Sequence, residues 1–152
     1  MTNFGPQQHV CVENEWYDGP VAGIVDTNGH PHRFRRIFDE AEDEYSEAFF
    51  LWPVKNEELA LEIEQWQIYV EFNTRYEAGI VGTELHPGHG NINKRWDEIH
   101  ALLKPNRSQV PSNATKALAN FEWIDRENRY EVSGPNYTLG WIFLYAALAR
   151  SP

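Results

Sequence analysis

A chain of 152 residues with 41% hydrophobic and 14% aromatic residues is long enough for one filled core, and too rich in large apolar side chains for disorder. Its formal net charge of −10 disfavours nucleic acid and anionic membrane surfaces as partners and favours basic ones. The single cysteine, Cys11, excludes an intramolecular disulfide and any zinc site built on two or more thiolates.

One globular domain over residues 1–152 is expected. The opening MTNFGPQQHV has neither the basic nor the apolar segment of a signal peptide. The longest apolar run, Trp141 to Ala149, has nine residues, about half the ~20 that a spanning helix needs. These features predict a cytoplasmic protein that does not enter a membrane.

In chain order, Trp16-Tyr17-Asp18-Gly19-Pro20 comes first, a turn-rich segment that offers Trp16 and Tyr17 as a contact patch. Next, Asn28-Gly29 between two strand-type runs predicts a two-residue type I′ hairpin within Val21 to Phe38. Such a turn fixes a register, with His32 opposite Val25, Arg33 opposite Ile24, Phe34 opposite Gly23 and Arg35 opposite Ala22. One face then carries Val21, Gly23, Val25, His32 and Phe34, with the Phe34 ring over Gly23. The other carries Ala22, Ile24, Arg33, Arg35 and Ile37.

The hairpin leads into FDEAEDEYSE, in which Asp39, Glu40, Glu42, Asp43, Glu44 and Glu47 cluster without a base. This reads as a solvated turn. Ala48 to Trp52, stopped by Pro53, reads as the third strand of a meander, buried on both faces. Asn56 is a candidate N-cap for a long helix. Leu59, Ile63, Trp66 and Val70 recur on one face, and Gly79 supplies the C-terminal stop. A glycine-rich connector over Gly79 to Asn93 precedes a second helix over Asn93 to Leu103. Trp96, Ile99 and Leu103 share its inner face, and Pro105 is expected to end it.

The chain then returns to strands. Ala117, Ala119, Phe121 and Trp123 alternate along one, Tyr130 and Val132 suggest a short return, and Gly134-Pro135-Asn136 turns again. Tyr137, Leu139, Trp141, Phe143 and Tyr145 share a face of the last. Strands, then helices, then strands predict an α+β fold. A mainly antiparallel sheet, made of the N-terminal meander and the C-terminal strands, is packed by one long and one shorter helix.

No motif carries a reaction. GxxxxGK[ST], GxGxxG and GxSxG are absent, so no catalytic residue is assigned and no cofactor is expected. The glycine-rich connector with Lys94 and Arg95 resembles an anion cradle only in composition. Cys11, between Val10 and Val12, reads as a packed, inert thiol. His30, His32, His86 and His89 are the candidate metal ligands, with Glu84 as a possible fifth. They lie in two separate turn-rich segments that nothing in the sequence forces together, so no metal is expected.

Two functional readings follow. In the first, the chain is a small binding protein, and an immunity-type, toxin-neutralising protein fits its profile. The partner presents a basic surface to Asp39, Glu40, Asp43 and Glu44, with Trp16 and Tyr17 as contacts. The alternative is a histidine-based metal-binding protein or metal-dependent hydrolase. A ligand pocket lined by tryptophans between sheet and helix is a third possibility. Oligomeric state has no sequence signature here.

Overall fold

The computed structural model describes residues 3–144. Its strands are β1 (Gln8–Trp16), β2 (Pro20–Thr27), β3 (His30–Asp39), β4 (Glu44–Pro53), β5 (Thr115–Trp123), β6 (Tyr130–Glu131), β7 (Gly134–Pro135) and β8 (Tyr137–Leu144). Its helices are α1 (Asn56–Glu77) and α2 (Lys94–Ser108). Antiparallel pairing in the order β1-β2-β3-β4-β5-β8 closes into a barrel, and β6 pairs with β7 beside it. The α+β class and the antiparallel pairing match the expectation. Closure into a barrel was not anticipated.

The hairpin register is as derived. Ala22, Gly23, Ile24 and Val25 pair with Arg35, Phe34, Arg33 and His32. Asn28 and Gly29 take φ of 53° and 81°, the left-handed pair that a type I′ turn requires. A Cβ on Gly23 would stand 2.8 Å from Phe34 Cζ, so the bare backbone makes room for that ring in the barrel. The interior is filled by Val10, Val25, Phe34, Phe49, Leu51, Ala117, Tyr137, Leu139 and Trp141.

A second apolar layer lies outside the barrel, where Val12 and Ile24 meet Val54, Trp66 and Val70. A register shift at Cys11 makes both layers possible. Val10 pairs with Val25 and Val12 with Ile24, so two residues that a regular strand would put on one face serve opposite layers. The predicted third strand is the fourth, because β1 precedes the hairpin. Phe49 and Leu51 point into the barrel, and on the opposite face Trp52 is buried and Phe50 half-buried, so the strand is covered on both faces at its C-terminal end.

Helix α1 starts one residue earlier than the capping argument implied. Lys55 is the N-cap and offers no side-chain cap, and Asn56 lies in the first turn. At its end Gly79 N–H bonds Tyr76 O and Ile80 N–H bonds Arg75 O, a Schellman closure. Trp66 and Val70 are buried as predicted, whereas Leu59 and Ile63 are half-buried and pack against the same layer. Helix α2 is capped by Asn93, whose side chain accepts from Trp96 N at 2.9 Å. It does not stop at Pro105 but runs to Ser108. The last turn carries Arg107, which donates to Glu62 at 2.6 Å and to Gln65 at 2.5 Å, and these buried contacts hold it helical.

In β8, Tyr137, Leu139 and Trp141 point into the barrel as expected. Tyr145 and the end of the apolar run lie outside the described residues. No helix among the described residues is long and apolar enough to cross a membrane.

Candidate functional site

Three features stand out: a buried charge network, a cavity beside it, and an acidic, aromatic end of the barrel.

The network joins both helices to the barrel. Arg33 on β3, only 2% exposed, donates to Glu58 Oε2 at 2.5 Å and lies 2.9 Å from Glu62 Oε2. Glu62, with no exposed surface, also accepts from Arg107 Nε and Nη2 at 2.9 and 2.6 Å and from Asn14 Nδ2 at 3.0 Å. Burial alone would raise the Glu62 pKa. Hydrogen bonds from Arg107 and the charges of Arg107 and Arg33 outweigh it and hold the carboxyl below the usual range. Glu64, two residues on and on another face of α1, binds Arg95 at the surface instead. A signal was present, because Glu62 falls between Leu59 and Trp66 on the apolar stripe of α1, and Arg33 shares a strand face with Ile24. A charge on an apolar stripe needs a buried partner, and each supplies the other's.

The cavity, about 440 Å³, lies between β1, α1, α2 and the turn over residues 86–90. Trp16, Trp66, Tyr69, Trp96 and His86 bring rings to its lining, and Glu13, Glu15, Glu62 and Asp97 bring carboxylates. Glu13 is nearly buried. Its Oε1 accepts from Tyr137 Oη at 2.9 Å, and Arg129 Nη2 stands 3.7 Å away. Burial raises the Glu13 carboxyl above its usual range, against the lowering effects of Tyr137 and Arg129. Burial, with a smaller effect of the neighbouring His89, lowers the His86 pKa, which favours its neutral form.

Two of the four candidate metal histidines are neighbours. The His86 and His89 rings lie 5.8 Å apart in the cavity lining. His30 and His32 sit at the start of β3, where His32 Nδ1 is 2.9 Å from the His30 carbonyl, and neither lines this cavity. Among the described residues no three His, Cys, Asp or Glu side chains are grouped so as to hold a metal ion. In the glycine-rich connector, Asp97 Oδ2 accepts from Asn91 N at 2.9 Å and Arg95 is bound to Glu64, so protein carboxylates already engage these groups. Cys11 is half-buried with Sγ 3.5 Å from Ile24 O. Burial, aided by Asp26, pushes its thiol up to about 12.

The acidic end is built from the β1–β2 and β3–β4 turns. Asp39 Oδ1 accepts from Ala41 N and Glu42 N at 3.0 and 3.2 Å, so this carboxylate shapes the turn. Glu40, Asp43 and Glu44 are exposed. Against them stands a cluster of rings. Tyr17 is 69% and Phe38 44% exposed, and both touch the half-buried Tyr45 at ring separations of 6.1 and 5.2 Å. An open depression of about 640 Å³ runs among Tyr17, Asp18, Phe38, Asp43, Glu44 and Tyr45, with Arg36 as the one basic residue in its lining. The nearby arginines make no ion pair with the turn carboxylates among the described residues. Arg36 donates to Ser46 O at 2.7 Å and lies over Tyr45 and Phe49, and Arg35 is 3.9 Å from Glu15. No ion pair to residues 39–47 forms among the described residues.

Of the two aromatic residues singled out in the sequence, Tyr17 joins this surface. Trp16 turns the other way, its ring against Trp123 and Tyr137 and under the Arg129 guanidinium at 4.3 Å. Phe38 and Tyr45 were not foreseen as members, because only a hairpin that returns beside the β1–β2 turn brings them to Tyr17. Comparison with protein-family models, curated proteins and solved structures finds no match to this chain.

Proposed function

We propose that the protein works by binding, and that a macromolecular partner with a basic surface docks on the acidic end formed by the β1–β2 and β3–β4 turns. The observation that supports this reading is the pairing of exposed rings at Tyr17 and Phe38 with unpaired carboxylates at Glu40, Asp43 and Glu44. A solvated acidic turn has no use for two large exposed rings. An interface uses both, with aromatic anchors for affinity and a charged rim for steering. An immunity-type role, in which the acidic face masks a basic toxin surface, fits this chemistry by analogy. In that role the protein acts in the cytoplasm.

The two contributions separate kinetically. Charge acts on encounter, so replacing Asp39, Glu40, Asp43 and Glu44 by their amides slows association with the captured partner about tenfold, and added salt does the same. Asp39→Asn keeps the oxygen that caps the turn. Tyr17→Ala and Phe38→Ala act on dissociation, because they remove contact area formed after encounter. Association that is independent of salt and unchanged by the four substitutions refutes the reading.

A further inference from the structure

We infer that the cavity between the barrel and the helices binds an uncharged, polyhydroxylated ring, the unit of a mono- or disaccharide. The site is separate from the acidic end and does not depend on the function proposed there.

Charge is balanced at this cavity. Glu13 faces Arg129 at 3.7 Å and Glu15 faces Arg35 at 3.9 Å, while Glu62 is shared by Arg33 and Arg107 at 2.9 and 2.6 Å. With Asp97 the lining holds four carboxylates, and these four guanidiniums stand in it or behind it. A charged ligand would upset that balance where water is partly excluded, so the fitting ligand is neutral.

Hydrogen bonding is less complete than charge. Glu13 Oε1 accepts from Tyr137, and Asp97 Oδ2 accepts from Asn91 N. Their second oxygens, Glu13 Oε2 and Asp97 Oδ1, accept from no described residue. His86 supplies the complementary donor. Its Nδ1 accepts from Gly88 N at 2.9 Å, which puts the ring proton of the neutral imidazole on Nε2. That N–H has no acceptor among the described residues. Hydroxyl groups both give and take hydrogen bonds, and an O–H donated to a carboxylate is of the strong, charge-assisted kind. An apolar ligand would leave all three groups unmet.

Rings supply the apolar contact. Trp16 is covered by Arg129 and Trp66 is 4% exposed, so the accessible ring surface belongs to the half-buried Tyr69, His86 and Trp96. Trp96, from α2, has one ring neighbour among the described residues, His86 at 6.4 Å. The C–H face of a sugar ring packs on such an indole while its hydroxyls reach sideways to the polar groups. The volume, about 440 Å³, falls within the range of small-molecule sites.

Calorimetry and tryptophan fluorescence test this on the whole protein with glucose, maltose, cellobiose, lactose and N,N′-diacetylchitobiose. Glucosamine and glucuronate are the cationic and anionic counterparts of glucose, and cyclohexanol is an apolar one. At least one neutral sugar is expected to bind with a Kd below about 5 mM and to change tryptophan emission, at least about tenfold more tightly than glucosamine, glucuronate or cyclohexanol. Trp96→Ala should abolish that binding. His86→Phe keeps a ring and removes the donor, and Asp97→Asn keeps an oxygen for Asn91 N; each should weaken binding about tenfold. Urea midpoints of the three variants separate a lost site from a lost fold, and two of them replace side chains that are not fully buried. If no neutral sugar binds below about 20 mM, the cavity is not a sugar site. If a charged or apolar counterpart binds as tightly as the best sugar, or if folded His86→Phe and Asp97→Asn both bind like the wild type, the assignment of these groups is wrong.

Discussion

Glu62→Ala is the substitution that most sharply tests how the helices are held to the barrel. The side chain has no exposed surface and is contacted by Arg107, Arg33 and Asn14 at 2.6–3.0 Å. Removing it leaves Arg107 able to turn outward, since its side chain is already 20% exposed. Arg33 has no such escape at 2% exposure and keeps only Glu58 and Asn14. Breaking a buried pair by deleting one partner costs about 3–5 kcal/mol, because the remaining charge stays buried. The retained Glu58 contact places this case near the lower bound. For a chain of this size that is a fall in Tm of roughly 6–20 °C. Urea unfolding followed by tryptophan fluorescence measures it, with Glu64→Ala as the control, because Glu64 pairs with Arg95 in full solvent and should leave the midpoint unchanged. A triple replacement, Arg33→Met, Glu62→Leu and Arg107→Met, should be far milder than the single one, since a buried triad exchanges for apolar groups at little cost. A Glu62→Ala protein within about 0.5 kcal/mol of the wild type would refute the claim that this network clamps α1 and α2 to the barrel.

Other outcomes follow from the same contacts. Gly29→Val, at φ 81° with open space around its Cβ, should cost roughly 1–3 kcal/mol through backbone strain alone, read as a lower urea midpoint. Trp66→Ala should cost about 3–5 kcal/mol, since the ring is 4% exposed and its Nε1 donates to Glu131 O at 2.7 Å. Cys11 should resist a thiol reagent at neutral pH in the folded protein and react fully in denaturant, because burial raises its thiol pKa to about 12. The pH dependence carries opposite signs at two carboxylates. Glu62, held below the usual range, stabilises the fold above the unfolded carboxylate pKa, and that contribution is lost as pH falls through its folded value. Glu13, raised, binds its proton more tightly when folded, so its stabilising contribution is full below the unfolded value and declines as pH rises toward the folded one. Unfolding measured between pH 3 and 7 should therefore show a reduced acid limb in Glu62→Gln and a flatter approach to neutrality in Glu13→Gln.

Much of the local structure was legible because local chemistry dictates it. Asn28-Gly29 admits one turn type, and that turn fixes every pair from Ala22–Arg35 to Val25–His32. The phase of α1 followed from Trp66 and Val70. Closure was not legible. It rests on Gln8 and His9 pairing with Leu139 and Thr138, partners from opposite ends of the chain with no local signature. The irregularity at Cys11 hid as well, because Val10-Cys11-Val12 reads as ordinary alternation until the two valines are seen in different layers. Pro105 misled for a physical reason, since the helix-breaking tendency of proline is local and the contacts of Arg107 two residues later are tertiary. At the acidic end, the charges were readable one by one. Their company, Tyr17 with Phe38 and Tyr45, depended on which turns the barrel sets side by side.

Site-specific photocrosslinking tests the proposed binding surface most directly. A benzophenone side chain placed at position 17 or 38, in the whole protein within extracts of its own cells, should yield a discrete adduct with a basic protein. The same group at Leu102, 59% exposed on the far face of α2, should not. The adduct should weaken when Glu40, Asp43 and Glu44 are converted to amides and when salt is raised. Equal crosslinking from position 102, or none from positions 17 and 38, would contradict the account.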